Sequence, residues 1–202
     1  MAKLDVTTTT LAIDRLLEVT EDPRHRQILE NYRRHALLEV SGRWPEILEP
    51  EMTVEHPVYR INEGGRSMVI DGREQLAEFY GGMTEAGASV MVLEDERIAV
   101  ADWGFGSESI FNHYAPGIFL IASGEEVDDP DACYMLRHRL AMVWHYDERA
   151  RLIGEHVYED ANLREITKLA PEDVVTPEEA RDALAPLIRP LPSLLDPTGS
   201  PA

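Results

Sequence analysis

The chain has one cysteine, no long apolar run and few cations. Cys133 has no second thiol to pair with, so no internal disulfide is available, stability rests on a packed core, and a reducing, cytoplasmic setting is the expectation. No stretch approaches the ~20 consecutive apolar residues that a membrane-spanning helix needs. The first residues, with Lys3, Asp5 and a threonine run, lack the apolar centre of a signal peptide. Lys and Arg together number 19 against 38 Asp and Glu, a formal charge of -19, so nucleic acid and anionic membrane surfaces are excluded as expected partners. The sequence also lacks an HExxH pair, and the glycines of Trp103, Gly104, Phe105, Gly106 and Ser107 precede no helical pattern, which excludes a phosphate cradle there.

What is present suits one good core: 202 residues with 44% hydrophobic content, enough for a single domain with appendages. Leu11, Ile13, Leu16, Leu17 and Val19 form a short amphipathic helix. Asp22 can cap a second helix with Pro23 in its first turn, and Ile28, Leu29, Tyr32, His35, Ala36, Glu39 and Val40 follow helical spacing down one side. Gly42 ends it. Residues 52–60 alternate as a strand with Val54, His56 and Val58 on one face, and Pro57 places this strand at an edge or bulge. Asp71 and Gly72 open a third helix over residues 73–85 with Leu76, Phe79, Tyr80 and Met83 inward.

Strands follow over residues 89–101, 104–114 and a hairpin over 133–158, separated by an acidic, proline-punctuated loop at 124–131. Beyond Asp160, Thr176 and Glu179 form a capping box with Pro177, opening a helix to about Ile188, and Pro190, Pro192, Pro197 and Pro201 preclude regular structure after it. The expected organisation is an N-terminal helical segment at 1–22, a domain at 23–160 and a helical, proline-rich extension at 161–202.

The hairpin carries the chemistry. With a period of two, Tyr134, Leu136, His138, Leu140, Met142, Trp144 and Tyr146 share one face of its first strand. If Tyr146 pairs with Arg151 across the turn at 147–150, Ile153, Glu155 and Val157 join that face. An imidazole and a carboxyl then point into an apolar hollow. A one-residue slip would put His156 and Tyr158 there instead; in the expected register His145 and His156 fall on the opposite face with Arg137 and Arg139, where a dimer surface is the simpler account.

The order α-α-β-β-α-β-β-β-β, together with the runs ENYRRHALLEVSGRWPEILEPEMTVEHPVY (30–59), VIDGREQLAEFY (69–80) and RLIGEHVYED (151–160), resembles the SnoaL-like group of the NTF2-like superfamily over roughly residues 23–160. The resemblance implies an α+β cone: a strongly curved, mainly antiparallel sheet wrapped around three helices, enclosing a pocket, often dimeric through the outer sheet face. Members include polyketide cyclases, ketosteroid isomerases, dehydratases, epoxide hydrolases and binding domains without catalysis. His56 and Pro57 match a recurrent first-strand pattern, and Tyr32 and His35 lie on the helix that closes the pocket. Where such cyclases often carry a tryptophan and an acid late in the last strand, Val157 and Asp160 stand here.

Imidazoles that titrate near neutrality, beside a carboxyl whose pKa burial raises, suit proton transfer next to a carbonyl or hydroxyl. The candidate catalytic set is His138, Glu155, His56, His35, Tyr32 and Tyr59, with Trp144, Met142, Leu140, Phe79, Tyr80 and Trp103 holding substrate. This chemistry needs no cofactor, and none is expected; metal is not expected either, since Arg137 and Arg139 flank His138 and no ligand spacing recurs. The sequence therefore points to a cofactor-independent isomerase, lyase or cyclase acting on a small apolar carbonyl or hydroxy compound, such as a polyketide, steroid or terpenoid intermediate, in a homodimer. The alternative is a binding module that holds a hydrophobic ligand without transforming it.

Overall fold

A computed structural model describes residues 3–192; Pro197 and Pro201, with the rest of 193–202, lie outside the described residues. Six strands form one open sheet in the order β2-β1-β6-β5-β4-β3, and helices cover its concave face. The strands are β1 (Val58–Glu63), β2 (Arg66–Asp71), β3 (Met91–Ala101), β4 (Gly104–Pro116), β5 (Cys133–Tyr146) and β6 (Leu152–Lys168). All neighbours pair antiparallel except β1 and β6, which run parallel. The helices are α1 (Leu11–Val19), α2 (Pro23–Val40), α3 (Arg73–Glu85), α4 (Gly117–Ala122) and α5 (Pro177–Leu184). This is the α+β class that the element order implies.

Local chemistry explains the helix ends. The Asp22 carboxylate accepts the backbone N–H of His25 at 3.0 Å, with Pro23 in the first turn where its missing N–H costs nothing. Thr176 and Glu179 close a reciprocal capping box, but α5 stops at Leu184 and a 3-10 turn at Ala185–Leu187 replaces the expected continuation to Ile188. The buried Asn31 amide donates to the carbonyls of Met52 and Ala150 at 2.9 and 3.0 Å, tying α2 to the mouth of the β5–β6 hairpin.

Two further sequence expectations change around the site. The strand predicted over residues 52–60 begins only at Val58, after Pro57, which has no N–H to give a ladder. His56 therefore sits outside the sheet, with its side chain 72% exposed and 2.7 Å from Asp71. The second change is in the hairpin: its loop covers residues 147–151, one longer than expected, so Tyr146 pairs with Leu152 rather than Arg151. That slip alone would turn His156 and Tyr158 inward. A bulge at Ile153 reverses it, giving Trp144↔Glu155 and Met142↔Val157, so Glu155 and Val157 face the core as expected while Ile153 is exposed and Leu152 is buried. Gly154 sits in this bulge for a steric reason: a Cβ there would lie 1.9 Å from the Val58 carbonyl oxygen, where β1 runs alongside β6.

The last strand continues well past Asp160 to Lys168. Its register against β5 breaks again between Arg139↔Asp160 and Arg137↔Glu165, and the extra residues at 161–164 bulge opposite His138. No helix among the described residues is long and apolar enough to cross a membrane.

Candidate active site

Between the concave sheet face and α2 and α3 lies a cavity of about 230 Å³. Alternation along β5 supplies its floor, with Leu140, Met142 and Trp144 inward; helical spacing supplies its roof, with Tyr32, His35 and Glu39 from α2 and Phe79 and Met83 from α3. Among the expected substrate-binding residues, Trp144, Met142, Leu140 and Phe79 line it. Tyr80 stands one layer behind. Trp103 is 49% exposed and packs on His145, its ring 5.6 Å away on the opposite side of the sheet, because the turn between β3 and β4 carries it off the end of the concave face.

Glu155 is the polar group at the floor. Its residue is 8% exposed, its carboxyl lines the cavity, and no N–H or O–H of the described residues donates to it. Burial pushes this carboxyl well above the ordinary carboxylate range, and the neighbouring charges of Glu39 and Glu63 push the same way. Directly opposite on β5, the Trp144 indole N–H is also buried and unpartnered among the described residues. Each such orphaned group costs about 1–3 kcal/mol, a cost that concentrates where function is served.

The roof holds a chain of hydrogen bonds. His35 Nε2 lies 2.9 Å from the Tyr80 hydroxyl and 3.5 Å from Glu39 Oε2, and Tyr80 in turn donates to Tyr59 at 3.2 Å. Burial holds the Tyr59 and Tyr80 hydroxyls well above their usual pKa, so both stay protonated. Tyr32 lines the cavity, but its hydroxyl donates a hydrogen bond to Glu96 at 2.6 Å. Burial pushes Glu96 up to about 7, while that hydrogen bond opposes the rise.

His138 lies elsewhere. It is fully buried behind the wall at the other end of the cavity, with Nδ1 2.9 Å from Glu159 and 3.6 Å from Glu63, and Nε2 unpartnered among the described residues. Arg164, from the second bulge of β6, binds the same Glu159 carboxylate and reaches Glu125 at 2.6 Å. Burial works to raise Glu159, but the Gly64 N–H, Arg164 and His138 together hold it below the usual range. His113, whose ring is 5.3 Å from that of His138, is pressed down to about 3 by burial, then by the charges of His138 and Arg164, and is neutral. The expected constellation thus divides: Glu155, His35 and Tyr32 meet in the cavity, Tyr59 and His138 buttress it, and His56 is in solvent.

Glu39, Glu63, Glu159 and Arg164 escaped selection from sequence. Glu39 was legible, four residues after His35 on the same helical stripe. Glu159 continues the alternation of Glu155 and Val157. Glu63 and Arg164 depend on a cross-sheet approach and a bulge that leave no local pattern. Among the described residues, no group of three or more His, Cys, Asp or Glu is arranged to hold a metal ion.

The sequence matches no family model and no curated protein. Solved structures do match. A protein described as a candidate SnoaL-like polyketide cyclase from Jannaschia sp. CCS1 superposes with a TM-score of 0.53 at 14% identity, covering 70% of this chain and 90% of its own. A candidate polyketide cyclase from Xanthomonas campestris pv. campestris gives 0.50 at 14% identity, covering 69% and 94%. The chain has the SnoaL-like, NTF2-like fold. At this identity the likeness extends to the fold and not to the reaction.

Proposed function

We propose that the cavity carries out cofactor-independent acid–base chemistry on a small, largely apolar carbonyl or hydroxy compound, yielding an isomerisation, dehydration or cyclisation. One observation carries this reading: the Glu155 carboxyl is buried and unpaired at the floor of the cavity, where burial and the charges of Glu39 and Glu63 raise its pKa and favour its protonated form. In that state it is a proton donor to a carbonyl, hydroxyl or epoxide oxygen. Glu39, on the opposing helix, is the acceptor for a proton leaving the adjacent carbon; the Tyr80 hydroxyl, which donates to Tyr59, accepts from His35 Nε2 and holds that imidazole in place beside Glu39. Trp144, Met142 and Leu140 exclude water, which strengthens the Glu155 contact with a developing oxyanion. The polyketide cyclases named above favour the cyclisation branch by fold analogy alone.

The burial of His138 and Tyr59 behind the wall, where they serve other protein groups, favours the competing reading of a binding module without turnover. Incubation of the protein with a hydrophobic metabolite extract, followed by mass spectrometry of bound and converted species, separates the two. Under the catalytic reading Glu155→Gln abolishes conversion by ~100-fold or more while bound species persist; equal conversion by the variant would sink it. The outer sheet face, with exposed Ile153 and Tyr158 around His145 and His156, fits a homodimer interface, and light scattering that reports a monomer at micromolar concentration would refute that assignment.

A further inference from the structure

We infer that the ligand of this cavity is a neutral, single-ring oxygenated compound of about ten non-hydrogen atoms, and neither a carboxylate nor a fused polycycle. The inference deepens the acid–base reading of the same cavity and rests on it. Size is the first argument. Benzene occupies an apolar cavity of about 150 Å³, roughly 25 Å³ per non-hydrogen atom, so 230 Å³ accommodates about nine or ten such atoms: one ring with a short substituent. Four fused rings, with about twenty atoms, would need roughly twice that space. The walls leave little to recruit, because Trp144, Met142 and Leu140 are buried on a continuous β-ladder and Tyr32 is wedged between Phe105 and Trp144, with ring centroids at 4.4 and 5.0 Å.

Charge is the second argument. Four carboxyl groups, Glu39, Glu63, Glu125 and Glu155, line the cavity against two guanidinium groups. Arg164 is already engaged by Glu125 and Glu159. Arg66 stands at the rim, exposed, where water screens it. A ligand carboxylate would therefore enter a desolvated space without a free buried cation and against like charge. A ligand oxygen is the partner that Glu155 lacks; Leu140, Met142, Trp144 and Phe79 offer apolar or aromatic contact around it, and the methionines Met83, Met91 and Met142 adapt to the outline of one ring.

Isothermal titration calorimetry of the full chain with 4-isopropylcyclohexanone, 4-isopropylcyclohexanecarboxylate and a four-ring steroid ketone tests this without reference to turnover. The ketone is expected to bind at least tenfold more tightly than either competitor. Binding should be lost in Leu140→Trp, which fills the cavity floor, and in Met83→Trp, a half-buried roof position that spares the core if the first variant fails to fold. Tighter or equal binding of the carboxylate or the steroid overturns the inference, as does ketone binding that survives Met83→Trp, or no binding of any of the three at millimolar concentration. Glu155→Gln keeps the outcomes separate: retained ketone preference with unchanged conversion of a substrate removes the acid–base reading and leaves the ligand class standing.

Discussion

Replacing Glu155 by glutamine is expected to stabilise the fold, and increasingly so as pH rises. Burial and the facing charges of Glu39 and Glu63 keep the folded-state carboxyl protonated far above the range in which an unfolded-chain glutamate ionises, near ~4.3. Below that value both states hold the proton, and the wild type pays no penalty. Above it the unfolded chain releases the proton while the folded chain retains it, so the unfolded state binds fewer protons and folding stability declines with pH. The slope is up to about 1.4 kcal/mol per pH unit until the folded-state carboxyl itself ionises. Glutamine keeps the shape and has no proton to lose. The gap between variant and wild type should therefore open near pH ~4 and widen with rising pH until the folded-state carboxyl ionises. Urea unfolding followed by tryptophan fluorescence at stepped pH, with unchanged m-values, measures it. Glu96 and Glu63 have raised pKa values in both proteins and cancel in the difference. A gap that stays constant with pH, or a glutamine variant less stable than the wild type at neutral pH, would mean that the folded carboxylate is ionised and paired, and the general-acid assignment would fail.

Other outcomes follow from the same geometry. Gly154→Ala should destabilise by more than ~3 kcal/mol in thermal or urea unfolding, since its Cβ would meet the Val58 carbonyl at 1.9 Å and part β1 from β6; tolerance of alanine would refute the parallel pairing. His138→Leu, which leaves Glu159 with one partner fewer in a buried network, should cost ~2–4 kcal/mol while Glu155-dependent conversion survives in the folded fraction. Loss of conversion without loss of stability would return His138 to the catalytic set. His56→Ala should change stability by less than ~1 kcal/mol and leave conversion intact, because its pair with Asp71 is exposed on both sides; a large effect on conversion would contradict its position in solvent.

Much of the architecture was legible in the chain, because it follows from local rules. Helix α2 announces itself through Asp22, Pro23 and a stripe of 3.6-residue period, and β5 through strict alternation from Tyr134 to Tyr146. Both patterns record which side faces a core, and so Tyr32, His35, Leu140, Met142 and Trp144 could be assigned to one interior before any contact was known. The order of elements carried the resemblance to the SnoaL-like group, and the fold agrees.

The site itself depended on features with no local signature. Whether Glu155 faces inward is decided by a loop one residue longer than expected and a compensating bulge at Ile153, each of which inverts every later side chain. His138 sits opposite a second bulge, which brings Arg164 onto the Glu159 carboxylate that His138 also meets. His56 fell outside because Pro57 delays the strand, a local cue whose effect depends on where β6 stands to receive β1. Periodicity tells a residue which face of its own element it occupies. The cavity's size, its excess of carboxyl groups and the raised pKa of Glu155 arise from distances between elements far apart in the chain, and only the folded sheet sets those distances.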